Sequence, residues 1–428
     1  MSSLNMYFVF TEIIFPLVLS LLILIPAGLA GLFVIQKVLK IKLERNLLIS
    51  LSTVLGYAIV AGLVVAVTTL KIFSIWFFGF LFLLVLLFNR KELAKAFIEF
   101  KKVFLALSSW KKTDLFLLFG IGIFFLFYLL TALSPPFQCD ELAYHIPESI
   151  KIIQEGIFSL GGVLDICGNY PLLMESLYGL LFKIGGYSLV HLIHYQIVLA
   201  TLLGLYAVGS KKFSRRAGLL FVLLCFTLYE FFMNSVSGYI DAASACFEIL
   251  AVLIFLDINI NNKADRNKLV LSGILFGVAL SIKSTVLYSL LAILIIGFLK
   301  FLKSENKKQV LAMFFWFIAS FVLVGCFWYL KTWIMAGNPL YPFLGEGSQS
   351  QDIVPTLAVQ GRGGLQLFGE GVLRVFKTPL QFLEPYYILS FLAFLTLPFL
   401  VFVKKEKKWI VSLLFFVLVY FSLWGLTT

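Results

Sequence analysis

The chain has 428 residues, of which 61% are hydrophobic and 13% charged, with a formal net charge of +12. Apolar runs of about 20 residues recur along it, each long enough to span a bilayer, which excludes an ordinary soluble domain. The positive charge does not signal nucleic acid, because most of the 34 basic residues cluster in loops between the apolar runs, the pattern of a positive-inside topology beside anionic lipid.

The runs fall at 13–36, 47–70, 72–88, 114–134, 187–209, 217–235, 239–258, 269–282, 285–302, 309–334, 386–403 and 409–427, about twelve in all. Met1 to Thr11 carries no basic residue, so 13–36 reads as a first span and not as a signal peptide. If the spans alternate, the basic loops at Lys37 to Arg45, Arg90 to Lys112, Lys211 to Arg216, Lys263 to Lys268, Lys300 to Lys308 and Lys404 to Lys408 share one side. That side is cytoplasmic by the positive-inside rule, which places both termini and the loops 135–187 and 337–385 outside. The first three spans carry few polar groups. Asn89 to Lys112 alternates lysines with apolar residues and reads as a positive-inside linker able to lie along the inner leaflet.

The densest chemistry follows the fourth run, in Ser134 to Glu148. Pro135 and Pro136 end the apolar helix, so that Asp140 and Glu141 emerge at the membrane boundary. A helical turn there pairs Asp140 with Tyr144 on one face and Glu141 with His145 on the next. Pro147 then opens a helix closed by Gly156, with Ile146, Ile150, Ile153 and Ile157 at helical spacing, and Pro171 to Lys183 gives a second amphipathic piece. Both read as helices lying along the outer surface. Between them, Asp165, Cys167, Asn169 and Tyr170 form a polar turn. Cys139 and Cys167 share this loop, and a disulfide between them is allowed by compartment.

Farther on, His191 and His194 are spaced three apart, but with no second ligand pair they read as groups for structural hydrogen bonding or headgroup contact. Glu230 and Glu248 fall within spans six and seven, where a charge is costly. Asp241 begins span seven on the same side as Asp140. Lys283 sits between hydroxyls in Ser281 to Thr285, at a helix break on the outer boundary, and is the least anchor-like cation in the chain. Trp328 to Phe343 combines an interfacial aromatic girdle, Lys331 and a Gly337-Asn338-Pro339 turn, and leads into a glycine-rich loop carrying Arg362.

Four stretches together resemble the GT-C superfamily of membrane glycosyltransferases, in the bacterial branch related to protein mannosyltransferases and lipid A aminoarabinose transferases. They are Cys139 to His145 with the Pro147 helix, Gly238 to Asp241, Gly277 to Ser284, and Trp328 to Pro342. The resemblance covers about 115 to 345. With the apolar runs, which already give an all-α polytopic fold, it divides the chain into three segments: 1–113 with N-terminal spans and linker, outside the resemblance; a GT-C-like catalytic membrane core over 114–345 with outer loop 135–187; and 346–428 with a further outer loop and C-terminal spans. It also implies transfer of a sugar, with inversion, from a polyprenyl-phosphate carrier to a hydroxyl of a glycan, glycolipid or protein on the extracytoplasmic face of the plasma membrane. The acidic residue of the first outer loop falls on Asp140, with Glu141 beside it and Asp241 as the second carboxylate. Tyr144, His145, Lys283, Lys331, Arg362, Asn338 and Tyr341 are the expected substrate contacts. No cofactor is called for, and a divalent ion, if one is used, falls to Asp140 and Asp241. One departure stands out: the chain stops at Thr428 after an apolar run, where such enzymes usually continue through further spans, so the C-terminal segment is expected to be truncated.

The residue types suit that chemistry. A sugar hydroxyl is a poor nucleophile, so a carboxylate must take its proton as the glycosidic bond forms, and a cation can stabilise the departing phosphate. The competing expectation is a transporter or flippase, for which Glu230, Glu248 and the glycine-interrupted 269–285 segment would be the ionisable and discontinuous elements.

Overall fold

The computed structural model describes residues 9–94, 110–161, 165–341 and 405–427, and among these no strand is present. Five helical segments are long and apolar enough to cross a membrane, Phe10–Val38, Arg45–Thr69, Lys112–Ala132, Leu173–Lys212 and Lys307–Gly325. A sixth is obtained if the bent pair Arg215–Thr227 and Tyr229–Ser235 counts as one span. The protein is therefore an all-α, multi-pass membrane protein by the length and composition of its helices.

Among the described residues, helix length and composition do not confirm the expected count of about twelve spans, and several of the expected runs are interrupted or short. The 217–235 run is divided at Leu228, whose extended backbone bends the chain by 78°. The 309–334 run divides at Cys326, and the runs 269–282 and 285–302, separate as expected, give helices of 15 and 17 residues. The 72–88 run yields only a 14-residue helix, and 386–403 lies outside the described residues.

The chain forms two compact units, Met1–Leu160 with Leu172–Cys246, and Gly161–Pro171 with Phe247–Thr428. These cut across the 114–345 segment expected from the sequence. In the first unit, α1 (Phe15–Phe33), flanked by π turns at both ends, packs on α2 (Arg45–Thr69), and both pack on α6 (Leu173–Lys212). The short α3 (Ile75–Phe88) rests on α1. Then come α4 (Lys112–Ala132), the amphipathic α5 (Ile146–Glu155), α7 (Arg215–Thr227) and α8 (Tyr229–Ser235).

Close approach of α1 and α2 depends on small residues. A Cβ on Gly31 would collide with the Ser52 carbonyl, and one on Gly56 with the Ala27 carbonyl, so only hydrogen at these positions lets the backbones touch. A polar chain ties the same helices to α6: Tyr57 Oη donates to Gln196 Oε1, and Gln196 Nε2 donates to Ser20 Oγ at 3.1 Å. Around Tyr128 of α4, rings from Phe226 and Phe232 stand 4.9 and 4.8 Å away, and the Tyr128 hydroxyl donates to the Phe226 carbonyl at 2.8 Å.

The two helical pieces expected in the 135–187 loop are both present. Pro147 lies in the first turn of α5 and Gly156 ends it at φ 93°, a conformation open to glycine. Ile146, Ile152 and Ile153 of α5 are buried while Lys151, Gln154 and Glu155 face outward, and the buried face packs on α6. Ser149 and Ile153 come so near Gly179 that a Cβ there would not fit. The second piece departs from the expected surface helix: Leu173 to Leu181 is buried on all sides. It forms the first part of α6, set off from 187–212 by the non-helical Gly185 and Gly186.

In the second unit, α10 (Arg266–Leu280) crosses α12 (Lys307–Gly325) at Gly273 and Gly277, where added methyl groups would meet Phe317 and Phe321 backbone atoms. The short α11 (Val286–Leu302) follows a break, α13 (Phe327–Ala336) follows α12, and α14 (Lys407–Thr427) packs on α11. The remaining helix, α9 (Asp241–Asp257), begins in the first unit and ends in the second.

Gly56→Ala should destabilise the protein by about 1–3 kcal/mol because the methyl forces α1 and α2 apart. Gly62→Ala, in open space on the same helix, should be neutral or stabilising by about 0.5–1 kcal/mol. Thermal unfolding in detergent micelles, followed by loss of the monodisperse size-exclusion peak, distinguishes the two.

Candidate functional site

Asp140 and Glu141, neighbours in sequence, part company in space. Glu141 to His145 forms a single π turn at the start of α5, and this wide turn directs both of its end residues inward. Glu141 is fully buried and accepts a hydrogen bond at Oε1 from Nε2 of His191, which is fully buried too. The other ring nitrogen of His191, Nδ1, lies 3.2 Å from the Ala132 carbonyl in the last turn of α4. At the far end of the turn, His145 Nδ1 is 2.8 Å from Glu175 Oε1, again with both groups buried. A third contact joins Tyr178 Oη to His194 Nδ1 at 2.8 Å.

All three histidines of the chain thus belong to one buried polar cluster in the first unit. Burial of an acid is tolerable only when hydrogen bonds replace its water, and each bond here requires a proton between the paired groups. Replacement is incomplete, since Glu141 Oε2 and Glu175 Oε2 are buried without a hydrogen-bond partner among the described residues. Gly238 closes the cluster over Glu141; a Cβ at that position would lie 2.8 Å from Glu141 Oε1.

Asp140 faces the other way. It is exposed, and its backbone N–H donates to the Tyr239 hydroxyl at 3.4 Å. Asp241 is exposed as well, and its charge also acts on that hydroxyl. Burial raises the Tyr239 phenol above its ordinary range; the bond from Asp140 opposes this, and the charges of Asp140, Cys139 and Asp241 add to the rise. The phenol therefore stays protonated at neutral pH and keeps its hydrogen to donate. Exposed Phe137 and Leu142 flank Asp140, so this carboxylate stands at an apolar margin just beyond a helix of membrane length.

The sequence-expected site residues are accordingly redistributed. Asp140, Asp241 and the half-buried Tyr144 belong to the first unit's surface, with the Tyr144 ring 4.1 Å from that of His145. Glu141, expected beside the catalytic acid, and His145, expected to contact substrate, are both buried and bonded within the turn's surroundings. In the second unit, Lys331 is 1% exposed, where an outer-boundary contact was expected. Its ammonium donates to the Gly168 carbonyl and so ties α13 to the 165–170 turn, in which Asp165 accepts from the Gly161 and Gly168 N–H groups at 2.8 and 3.0 Å. Thr332 adds a bond to the Asn169 carbonyl at 2.9 Å. Tyr341 is likewise buried, and Asn338 accepts from the Leu340 N–H at 3.0 Å as a turn residue. Lys283 occupies the expected break between α10 and α11 and is half-buried. Arg362 lies outside the described residues.

Glu230 is also displaced from its expected place inside a span: it is exposed in the first turn of the short α8, beyond the 78° bend. Glu248 is bonded by Ser289 Oγ within the second unit. No disulfide forms among the described residues, Cys139 and Cys167 included. No group of three or more His, Cys, Asp or Glu among them is placed to hold a metal ion.

Sequence reasoning did not single out Glu175, Tyr178 or Tyr239. A carboxylate in the wholly apolar stretch around Leu172 to Leu181 was the available signal for Glu175, since such a charge needs a partner. The partner, His145, is 30 positions away and no local spacing reveals it.

Fold and site together define a multi-pass helical membrane protein with a buried carboxylate–histidine cluster beneath an exposed pair of aspartates. The chain belongs to the family described as domain of unknown function (DUF8201), whose profile matches residues 13–346. No curated protein and no solved structure matches it.

His191→Ala, which strands Glu141, should cost about 1–3 kcal/mol of stability. Asp140→Asn, at the exposed position next door, should stay within about 0.5 kcal/mol of the parent. Unfolding temperatures of the two variants measured side by side check the division between support and surface.

Proposed function

We propose that this protein is a GT-C-type membrane glycosyltransferase that moves a sugar from a polyprenyl-phosphate carrier to an acceptor hydroxyl, with inversion. The observation that carries the reading is Asp140: an exposed carboxylate beyond the end of α4, flanked by apolar Phe137 and Leu142, with Tyr239 and Asp241 beside it. A lipid-linked sugar projecting from the bilayer surface meets a base at the depth where its anomeric carbon lies. Asp140 takes the acceptor's proton as the new C–O bond forms and the bond to the carrier phosphate breaks. Tyr239, a neutral phenol, donates to an oxygen of donor or acceptor, and Asp241 orients the acceptor. Glu141 acts through the fold, holding the turn that presents Asp140.

On this reading the face bearing Asp140 is extracytoplasmic, because the opposite end of α4 begins in Lys111 and Lys112. The full complement of about twelve spans in the plasma membrane, and the extracytoplasmic placement of the 135–187 and 337–385 loops, belong to the same proposal. Lys283 keeps its assignment as the contact for a carrier phosphate, on the strength of its helix break, and Arg362 remains a second candidate for that phosphate. The acceptor is a glycan, glycolipid or protein. A divalent ion, if the reaction uses one, falls to Asp140 and Asp241.

Cells lacking the protein should accumulate a polyprenyl-phosphate sugar detectable by mass spectrometry, and the wild-type gene should clear it. Asp140→Asn should fail to clear it, with turnover lowered by about 10²–10⁴-fold, while Asp241→Asn retains more activity and needs more acceptor. An unchanged pool of lipid-linked sugars, glycolipids and glycoproteins would count against glycosyl transfer and return the transporter, with Glu248 as its intramembrane acid, to first place.

Lys283→Met should weaken donor binding while leaving the unfolding temperature near that of the parent. Unchanged retention of a lipid-linked sugar in a well-folded variant removes Lys283 from the phosphate.

A further inference from the structure

From just before the first turn of α4 to past its middle, helices α4, α6 and α7 leave a crevice of about 250 Å³. Its walls include Leu118 and Phe125 of α4, Leu203 of α6, and Leu219 and Phe226 of α7, with Trp110 just before α4 at one end. Every one of these is apolar or aromatic. Apart from the Tyr206 hydroxyl of α6 and the Trp110 indole N–H, the crevice offers water few partners, and apolar cavities of roughly 150 Å³ already take up hydrocarbon. Leu118 to Phe125 spans about 10 Å along α4, so the opening is elongated in the direction that membrane lipid chains run.

The mouth has a different chemistry. Arg215 stacks on Trp110 at 4.6 Å from the ring centroid, so the same side chain that lines the crevice carries a guanidinium at its rim. Arg216 Nε lies 2.8 Å from Asp114 Oδ1, and an Arg215 Nη nitrogen lies 3.8 Å from Asp114 Oδ2. Two guanidinium groups therefore share one carboxylate and leave a net positive charge. Asp114 is buried, whereas both arginine side chains are about half exposed, at 47 and 49%. Lys111, Lys112, Lys211 and Lys212 flank the mouth in sequence at the start of α4 and the end of α6. A planar guanidinium held by an aromatic face has its outward N–H groups aimed at solvent and headgroups, the geometry that receives a phosphate.

We propose that the crevice holds one acyl chain of an anionic glycerophospholipid whose phosphate binds Arg215 and Arg216 at the mouth. A zwitterionic lipid fills the crevice equally well but brings a compensating ammonium to a rim already rich in cations, so the charge balance selects a net-negative headgroup. The site is separate from the proposed sugar-transfer face. It uses none of the residues assigned there, and it stands or falls independently of that assignment.

The test uses the full-length protein in nanodiscs of phosphatidylcholine doped with phosphatidylglycerol, with native mass spectrometry counting the lipids retained after ejection. The wild-type protein should retain one phosphatidylglycerol with at least tenfold preference over phosphatidylcholine. Arg215→Gln, at an exposed side chain, should erase most of that preference, and Leu203→Trp, which fills the crevice, should abolish retention of the lipid. Folding of each variant is read from its unfolding temperature; should Leu203→Trp fail to fold, Arg215→Gln decides alone. Equal retention of the two lipids by the wild type overturns the proposal. So does an undiminished preference in Arg215→Gln.

Discussion

The hydrogen bond from His191 to Glu141 is the constraint on which the site depends. It brings a carboxylate into the interior of the first unit and fixes the turn that begins α5 against the middle of α6, while the second nitrogen of the same ring reaches the last turn of α4. Three helices are therefore positioned by one imidazole. Because the turn is a π turn, its five residues bring Glu141 and His145 to the same buried side, and the bond between His145 and Glu175 pins the other end. With both ends held, the residue just outside the turn has little freedom. That residue is Asp140, and its exposure follows from the burial of its neighbour.

Much of this was legible in the chain, and what was not follows from how the information is stored. The proline pair, the acidic stretch, the Pro147 helix and its Gly156 stop are local features, so sequence alone located them within a residue or two. Their sidedness is not local. Nothing in Asp140-Glu141 says which carboxylate turns inward, because the answer lies in His191, 50 positions later. Lys331 shows the same limit: its place near the end of a long apolar run suggested an interfacial cation, yet its ammonium is satisfied by a backbone carbonyl of a turn 163 residues earlier. Hydropathy is also blind to a single extended residue such as Leu228, which bends an apolar run by 78° without changing its composition.

Buried polar groups and small residues divide the labour of holding the first unit together. Where α1 meets α2, Gly31 and Gly56 allow backbone contact and dispersion between closely packed surfaces does the work, as suits helices that have lipid, not water, as the competing environment. Where α4, α5 and α6 converge, directional polar bonds are added to the apolar packing of the α5 isoleucines on α6. Directional bonds tolerate less displacement than apolar contacts, so the turn next to the exposed Asp140 is held more narrowly than the α1–α2 seam.

Helix α4 gives the arrangement its scale. Its 21 residues span about 30 Å, the thickness of the hydrocarbon core. Near its first turn Asp114 is bound by Arg216, and at its last turn the Ala132 carbonyl is met by His191. Neither tether is apolar, so neither can slide along the helix surface as packed leucines can. A helix long enough to cross the membrane and fixed at both ends by directional polar contacts has a defined depth. Asp140, a few residues past the second tether, inherits that depth, and this separates an acid set at the membrane margin from one carried on a loose surface loop.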